Sequence, residues 1–193
     1  MMISGRRTRR IKCPLSPPLA APIDAVPHPD RSPLMALPLE GVTVLDLTTV
    51  MAGPYCTMVL GDMGASVIKV ENFPEGDGSR RFEPKINGES YCFAVLNRNK
   101  KSVGINMKDP RGKEIFMKLA AKADVITENF RADVKHRLGI DYEAVKKVNP
   151  RLVYGSISGF GQTGPYSKRP GVDQIAQGLG GLMTITGLRG QGP

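Results

Sequence analysis

Residues 42–71, VTVLDLTTVMAGPYCTMVLGDMGASVIKVE, set a strand, a helix and a second strand in direct succession, and this constrains the fold more than any other stretch. Val42, Val44, Leu45 and Leu47 make a short apolar run with β-branched residues, the pattern of a buried strand. Gly53 and Pro54 follow a polar turn. Proline suits a first helical turn, where its fixed φ is already helical and its missing N–H would find no partner. A helix is therefore expected through Tyr55, Met58, Val59 and Leu60 to Met63, with Gly64 where a left-handed cap would end it. Residues 66–71 return as a strand. Two strands joined by one helical crossover pair in parallel, which predicts an α/β fold on a parallel sheet.

A chain of 193 residues, 40% hydrophobic, can bury the core of one globular domain. No apolar run approaches the roughly 18 to 20 residues of a spanning helix, so no membrane partner is expected. Cys13, Cys56 and Cys92 are widely spaced and never in a C-x-x-C arrangement. They read as reduced thiols of a cytoplasmic protein, Cys56 as core packing. With only His28 and His136 beside them there is no zinc set, and no metal is expected. The net charge of +9 calls for an anionic partner; six cations and two acids fall in residues 1–34, which leaves +5 for the rest. With 6% aromatic residues and no Trp, stacking groups are not interleaved with the basic ones, so a phosphorylated small molecule fits better than nucleic acid.

Seven prolines and little apolar periodicity make residues 1–34 a disordered Pro/Arg-rich extension by composition. Its arginines allow a mitochondrial presequence as the alternative address, although the prolines disfavour the amphipathic helix such a leader needs, and translation starting at Met35 fits better. Residues 72–85, NFPEGDGSRRFEPK, read as a charged surface loop in which Gly76, Asp77 and Gly78 form either an ordinary turn or a phosphate cradle. An apolar patch at 91–96, a basic turn at 97–101 and a strand at 103–107 follow. Asp109-Pro110 is a strong helix start, and Ile115, Phe116, Leu119, Ala120 and Ala123 recur at helical spacing, with Lys113, Lys118 and Lys122 outward.

Residues 124–128 predict a further crossover strand that ends at Asn129, Phe130 and Arg131. Ligands of open parallel sheets bind beyond the carboxyl ends of the strands, so sequence and topology first agree on a site here. Arg131, Lys135 and Arg137 lie on a basic stretch that reads equally well as a solvated helix. A short helix over 142–148 and a strand over 152–157 come next. From Gly155 onward the chain holds 11 of its 22 glycines in 39 residues, a composition suited to close backbone approach rather than to core. A small-residue helix is expected from Gly171 to about Met183.

LPLEGVTVLDLT followed by AGP, then GDMGASVIKVE, LNRNKKS, DPRGKE, ADVITENFR, VNPRL and SISGFGQTGP, resemble as a set the class III coenzyme A transferases, the formyl-CoA and carnitine-CoA transferase family, over residues 37–193. GQTGP and GLMTITG resemble the branch that uses succinyl-CoA and dicarboxylic acids. The resemblance implies a Rossmann-like large domain, a smaller second domain and two identical chains interlocked as rings. It implies acyl-CoA and carboxylic acid substrates, and an aspartate that attacks the thioester and passes through anhydride and aspartyl-CoA intermediates. Glycine loops would steady the oxyanions. The positions that match the family's CoA contacts are Val50, Met51, Ile105 to Lys108, Asn129, Phe130, Arg131 and Arg137.

Two departures stand out. Asn72 occupies a position where relatives often carry Arg, and the family's nucleophilic Asp is expected beyond Gly192-Pro193, so that residues 35–193 read as the N-terminal part of the large domain and as inactive alone. Asp173 matches an acidic position near the family's active site and is expected in a supporting role at most, or as a helix cap. An acyl-CoA racemase of the same family is the alternative, against which Val172 stands where those enzymes place His. A truncated, non-catalytic CoA-binding product is a further alternative.

Overall fold

The structure is a computed structural model and describes residues 36–188 and 190, so the reading of residues 1–34 lies outside the described residues. The chain runs β1 (Thr43–Asp46), α1 (Ala52–Asp62), β2 (Ser66–Asn72), a 3₁₀ turn (Gly78–Arg81), a small hairpin of β3 (Lys85–Ile86) and β4 (Glu89–Ser90), and α2 (Tyr91–Leu96). Then come β5 (Lys100–Ile105), α3 (Pro110–Ala120), β6 (Val125–Glu128), α4 (Ala132–Leu138), α5 (Tyr142–Lys146), β7 (Val153–Ser156), α6 (Asp173–Leu179) and α7 (Leu182–Ile185). Five strands form one parallel sheet in the order β5-β2-β1-β6-β7. The chain starts in the middle, builds outward through β2 and β5, then crosses under α3 to β6 on the other side of β1. The order therefore reverses between β1 and β6, and the expected Rossmann-like α/β architecture is present.

The opening unit folds as its pattern demands. Both faces of β1 are buried: Leu45 and Leu47 join Val70, Ile105, Phe116, Ile126 and Ile140 in the main core, while Val44 packs with Ala65 and Val67 on the opposite face. A strand covered on both sides has no room for alternation, which is why it reads as a continuous apolar run. Gly64 follows α1 at φ +103, and a Cβ there would sit 2.5 Å from the Cβ of Leu37, so glycine is required twice over. Asp109 caps α3 through the N–H of Arg111, with Pro110 in the first turn.

Other expectations need correction. Cys56 is exposed on α1, so it is not core packing. The third strand begins at Lys100, inside the stretch read as a basic turn, because Lys100 turns inward to a buried carboxylate. Ile115 stays exposed although it keeps the helical spacing of Phe116 and Ala120. The helix expected to run to Met183 is broken at Gly180 and Gly181, the latter at φ +78, into α6 and α7.

Candidate functional site

At the reversal point the chain leaves β1 through residues 48–51, and each of the first three is tied down. Asp46 accepts from the N–H of Thr48 at 2.9 Å and from the hydroxyls of Thr48 and Thr57. Lys69, from the neighbouring strand, donates to the Thr48 carbonyl at 2.9 Å. Asn129, just past β6, accepts from the Thr49 N–H and donates to the Thr49 carbonyl, both at 2.8 Å. The two strand ends that flank the reversal are thus stitched together by one amide side chain. Val50 gives its N–H to Asp77 at 3.2 Å and adopts φ +69, a left-handed conformation that is a true outlier for a β-branched residue. Directly after it α1 begins, among the described residues without a side-chain cap at Met51; Tyr55 gives its N–H to the Met51 carbonyl at 2.8 Å, and Pro54 has none to give.

Three buried lysines brace this edge. Lys69 lies 2.9 Å from Asp77, whose Oδ2 has this charge but no directed hydrogen bond. Lys100 meets Asp46 at 2.9 Å and also donates to Pro54 O, Thr57 Oγ1 and Asn97 Oδ1. Burial pulls the Lys100 pKa down against the attraction of Asp46. Lys135 is buried too, bonded to Glu128 at 3.0 Å, Ser156 at 2.8 Å and Gln162 at 2.6 Å, so it is no part of a solvated helix face. Glu71 completes the scaffold. Burial would raise its pKa, but a bidentate Arg80, the Ser102 hydroxyl and the Asp77 N–H outweigh that and hold it at about 2. The segment read as a surface loop is therefore anchored by a buried Asp77, which faces a lysine and offers no cradle to an anion.

Three depressions open along this carboxyl edge. One of about 240 Å³ is lined by Leu47, Thr49, Val70, Asn72, Lys108 and Phe130. The next, of about 400 Å³, gathers Lys108, Lys113 and Arg137 with Met107 and Leu138. A third, of about 330 Å³, is lined by Ala52, Asn129, Phe130, Arg131, Ser158 and Asp173, among others. Its outer wall depends on two glycines in contact, since a Cβ on Gly159 would fall 2.4 Å from the Cα of Gly171.

The expected site residues are brought to one edge of the sheet with one exception. Val50 and Met51 are exposed beside the reversal point. Lys108, Asn129, Phe130, Arg131 and Arg137 line the depressions. Arg131 and Arg137 share Asp133 only at 4.0 and 3.9 Å, so both guanidinium groups remain available in solvent. Ile105 does not present its side chain to this surface: it is 4% exposed within the core, and its carbonyl accepts from Phe73 N–H. Asp173, at the start of α6, accepts from Gln177 on the same helix rather than from the core. Lys113 was missed because its helical position looked outward; it lies over Gly139, where a Cβ would come 2.3 Å from its ammonium.

A parallel sheet with a reversal point defines a class, the Rossmann-like α/β folds, whose ligands bind beyond the carboxyl ends of the strands. The model of CoA-transferase family III matches residues 39–193, and the chain belongs to that family. It is similar to the succinyl-CoA:glutarate CoA-transferase of Mus musculus, 52% identical over 151 residues, 78% of this chain and 35% of that protein. It is also similar to the acetyl-CoA:oxalate CoA-transferase of Acetobacter aceti, 46% identical over 151 residues, 78% of this chain and 39% of that one. Among solved structures, a CAIB/BAIF family protein from Brucella suis superposes with a TM-score of 0.77 at 41% identity, covering 82% of this chain and 43% of that one. The chain thus spans well under half the length of these relatives.

Proposed function

We propose that this chain supplies the CoA-binding part of a CoA-transferase that moves CoA from an acyl-CoA to a dicarboxylic acid, acting within the whole protein as a homodimer. The observation that carries the reading is the gathering of Lys108, Asn129, Arg131 and Arg137, from three separate segments, along one strand-end edge. CoA carries a pyrophosphate and a ribose phosphate, and guanidinium groups bind phosphate through two parallel hydrogen bonds. Lys108, Lys113 and Arg137 converge on one depression that suits a phosphate, and Asp109, which also lines it, is engaged by Arg111. The 240 Å³ slot, with Leu47, Val70 and Phe130, suits an apolar or planar group beside it. Relatives named for glutarate and oxalate support a dicarboxylic acceptor.

In the reaction that family membership suggests, an aspartate carboxylate attacks the thioester carbonyl and CoA leaves as thiolate. The thiolate then attacks the aspartyl carbonyl of the resulting anhydride, which releases the donor acid and leaves aspartyl-CoA; the acceptor carboxylate repeats the sequence in reverse. Asp173 is not assigned as that aspartate. It stands at the wall of the 330 Å³ depression, exposed and hydrogen-bonded by Gln177, where a supporting role fits.

Calorimetric titration of the 193-residue chain with CoA tests the reading. Arg131→Ala and Arg137→Ala should each cost about 1.5 to 3 kcal/mol of binding free energy, and more at low salt than at high, because screening already weakens exposed charges. Equal affinity for CoA and for pantetheine, which lacks the phosphates, would refute it.

A further inference from the structure

Val50 sits in a conformation its own side chain disfavours, at the point where the chain turns from β1 into α1. Such an outlier persists only where the surroundings over-determine it. Two of the ties are ordinary for a Rossmann-like sheet end: Asp46 closes a turn on Thr48, and Asn129 bridges to Thr49. The tie to Val50 itself is different in origin. It comes from Asp77, 27 residues on and outside the sheet, whose Oδ1 accepts the Val50 N–H at 3.2 Å while also accepting from the N–H and hydroxyl of Ser79, each at 2.8 Å. Asp77 and Lys69 are each 1% exposed, and Lys69 forms an ion pair with Asp77 while donating a hydrogen bond to the Thr48 carbonyl, two residues before Val50. One buried ion pair therefore grips both sides of the turn.

We propose that Asp77 and Lys69 are positioning residues that hold Val50 left-handed and so set the turn which presents residues 50–53 to CoA. This rests on the CoA reading above. A buried ion pair that merely supported the 3₁₀ turn would need Ser79 and Lys69 but not Val50. The bond to Val50 fixes the residue whose φ decides where α1 and its uncapped first turn point. Neither residue touches the ligand; both act through the backbone of Val50.

The experiment uses the full 193-residue chain. Lys69→Met/Asp77→Leu removes both charges together, so that neither is left buried and unpaired, and takes with the tie the bonds to Ser79 and to the Thr48 carbonyl; a cooperative thermal melt checks that the variant folds, and Lys69→Met/Asp77→Ser, which keeps a shorter polar group, serves as a second variant. The Val50 amide should lose its protection from hydrogen exchange, and its three-bond N–H to Hα coupling should move away from the left-handed value. CoA affinity should fall about tenfold, as for loss of one hydrogen bond to a charged group. Adding Val50→Gly to the pair variant should restore most of that affinity, because glycine adopts the left-handed conformation unaided. A purely structural role would not allow such a rescue. A Val50 amide that stays protected and left-handed in both variants, or an affinity that glycine does not restore, overturns the proposal. If the unaltered chain binds no CoA, the CoA reading fails by itself, and the Val50 signals still decide whether Asp77 holds the turn.

Discussion

Residues 42–157 and residues 158–188 are held by different means. The first region encloses two apolar clusters and three buried lysine–carboxylate pairs. In the second, neither α6 nor α7 contains a buried residue, and Leu179, Ile185 and Leu188 are 67%, 79% and 71% exposed. The contrast divides the candidate site. Lys108, Asn129 and Arg137 stand on the braced region, whereas Ser158, Gly159 and Asp173 stand on the other. A named link between the two is the bond from Lys135 to Gln162, so the same lysine that neutralises Glu128 also reaches the glycine-rich segment. The proposed phosphate site thus stands on the braced region, and the acid-bearing wall on a segment that contributes little packing of its own.

The largest effect that would break this contrast is at Lys135. Lys135→Ala leaves Glu128, fully buried, without its counter-charge, and removing one partner of such a pair costs about 3 to 5 kcal/mol. Urea unfolding at neutral pH measures it. A loss below about 1 kcal/mol, the scale of an exposed ion pair, would mean that the pairs decorate the first region rather than brace it.

A smaller, pH-dependent loss tests the same bracing at Glu71. Its folded pKa of about 2 lies below the ordinary 4.5, so the stability it contributes is fully present above pH 4.5 and is lost as pH falls from there toward 2. Asp77, lowered by Lys69 and the Ser79 N–H against the opposing pull of burial, acts in the same direction. The urea midpoint should drop through that window, and Glu71→Gln should be less stable at neutral pH with a flatter acid limb. An unaltered acid limb in the variant would show that Arg80 and Ser102 do not favour the carboxylate.

How much of this was legible in the sequence follows from what periodicity can carry. The strand pattern of Val44, Leu45 and Leu47 and the Asp109-Pro110 start predicted β1 and α3 because apolar spacing and capping are local. The motif set singled out Lys108, Asn129 and Arg137, and the sheet carries them to one edge. The ion pairs were missed because Lys100 and Asp46 are 54 residues apart, and nothing local says that they meet. One signal was available. Lys69 sits between Ile68 and Val70 in a strand expected to be covered on both faces, and a lysine there must find a carboxylate. Cys56 was misread for the opposite reason: cysteine is usually buried, but α1 turns that side of its helix outward, along with Tyr55 and Val59.

A smaller loss still is expected at Tyr154, at the boundary of the two regions. Its hydroxyl donates to the Ile140 carbonyl at 2.9 Å and its ring packs edge-on against Tyr142. Tyr154→Phe keeps the ring and removes the bond, which should cost about 1 kcal/mol. Loss of several kcal/mol would extend the bracing outward to β7.

The smallest effect is expected in the glycine-rich region, at Ile185. Hydrophobic stabilisation scales with the apolar area withdrawn from water, about 25 cal/mol per Å², and at 79% exposed Ile185 withdraws almost none. Its neighbours on α7 give it no cover, since Leu182 and Met183 are themselves exposed. Ile185→Ser should therefore change the unfolding free energy by no more than about 0.5 kcal/mol, as surface substitutions do, while lowering the apolar surface available for association. Urea unfolding at two protein concentrations separates the two effects. If the unaltered chain is a monomer, its midpoint and that of the variant coincide at both. If copies associate through α6 and α7, the unaltered chain gains stability with concentration and Ile185→Ser does not, because only association can give this side chain an environment worth losing.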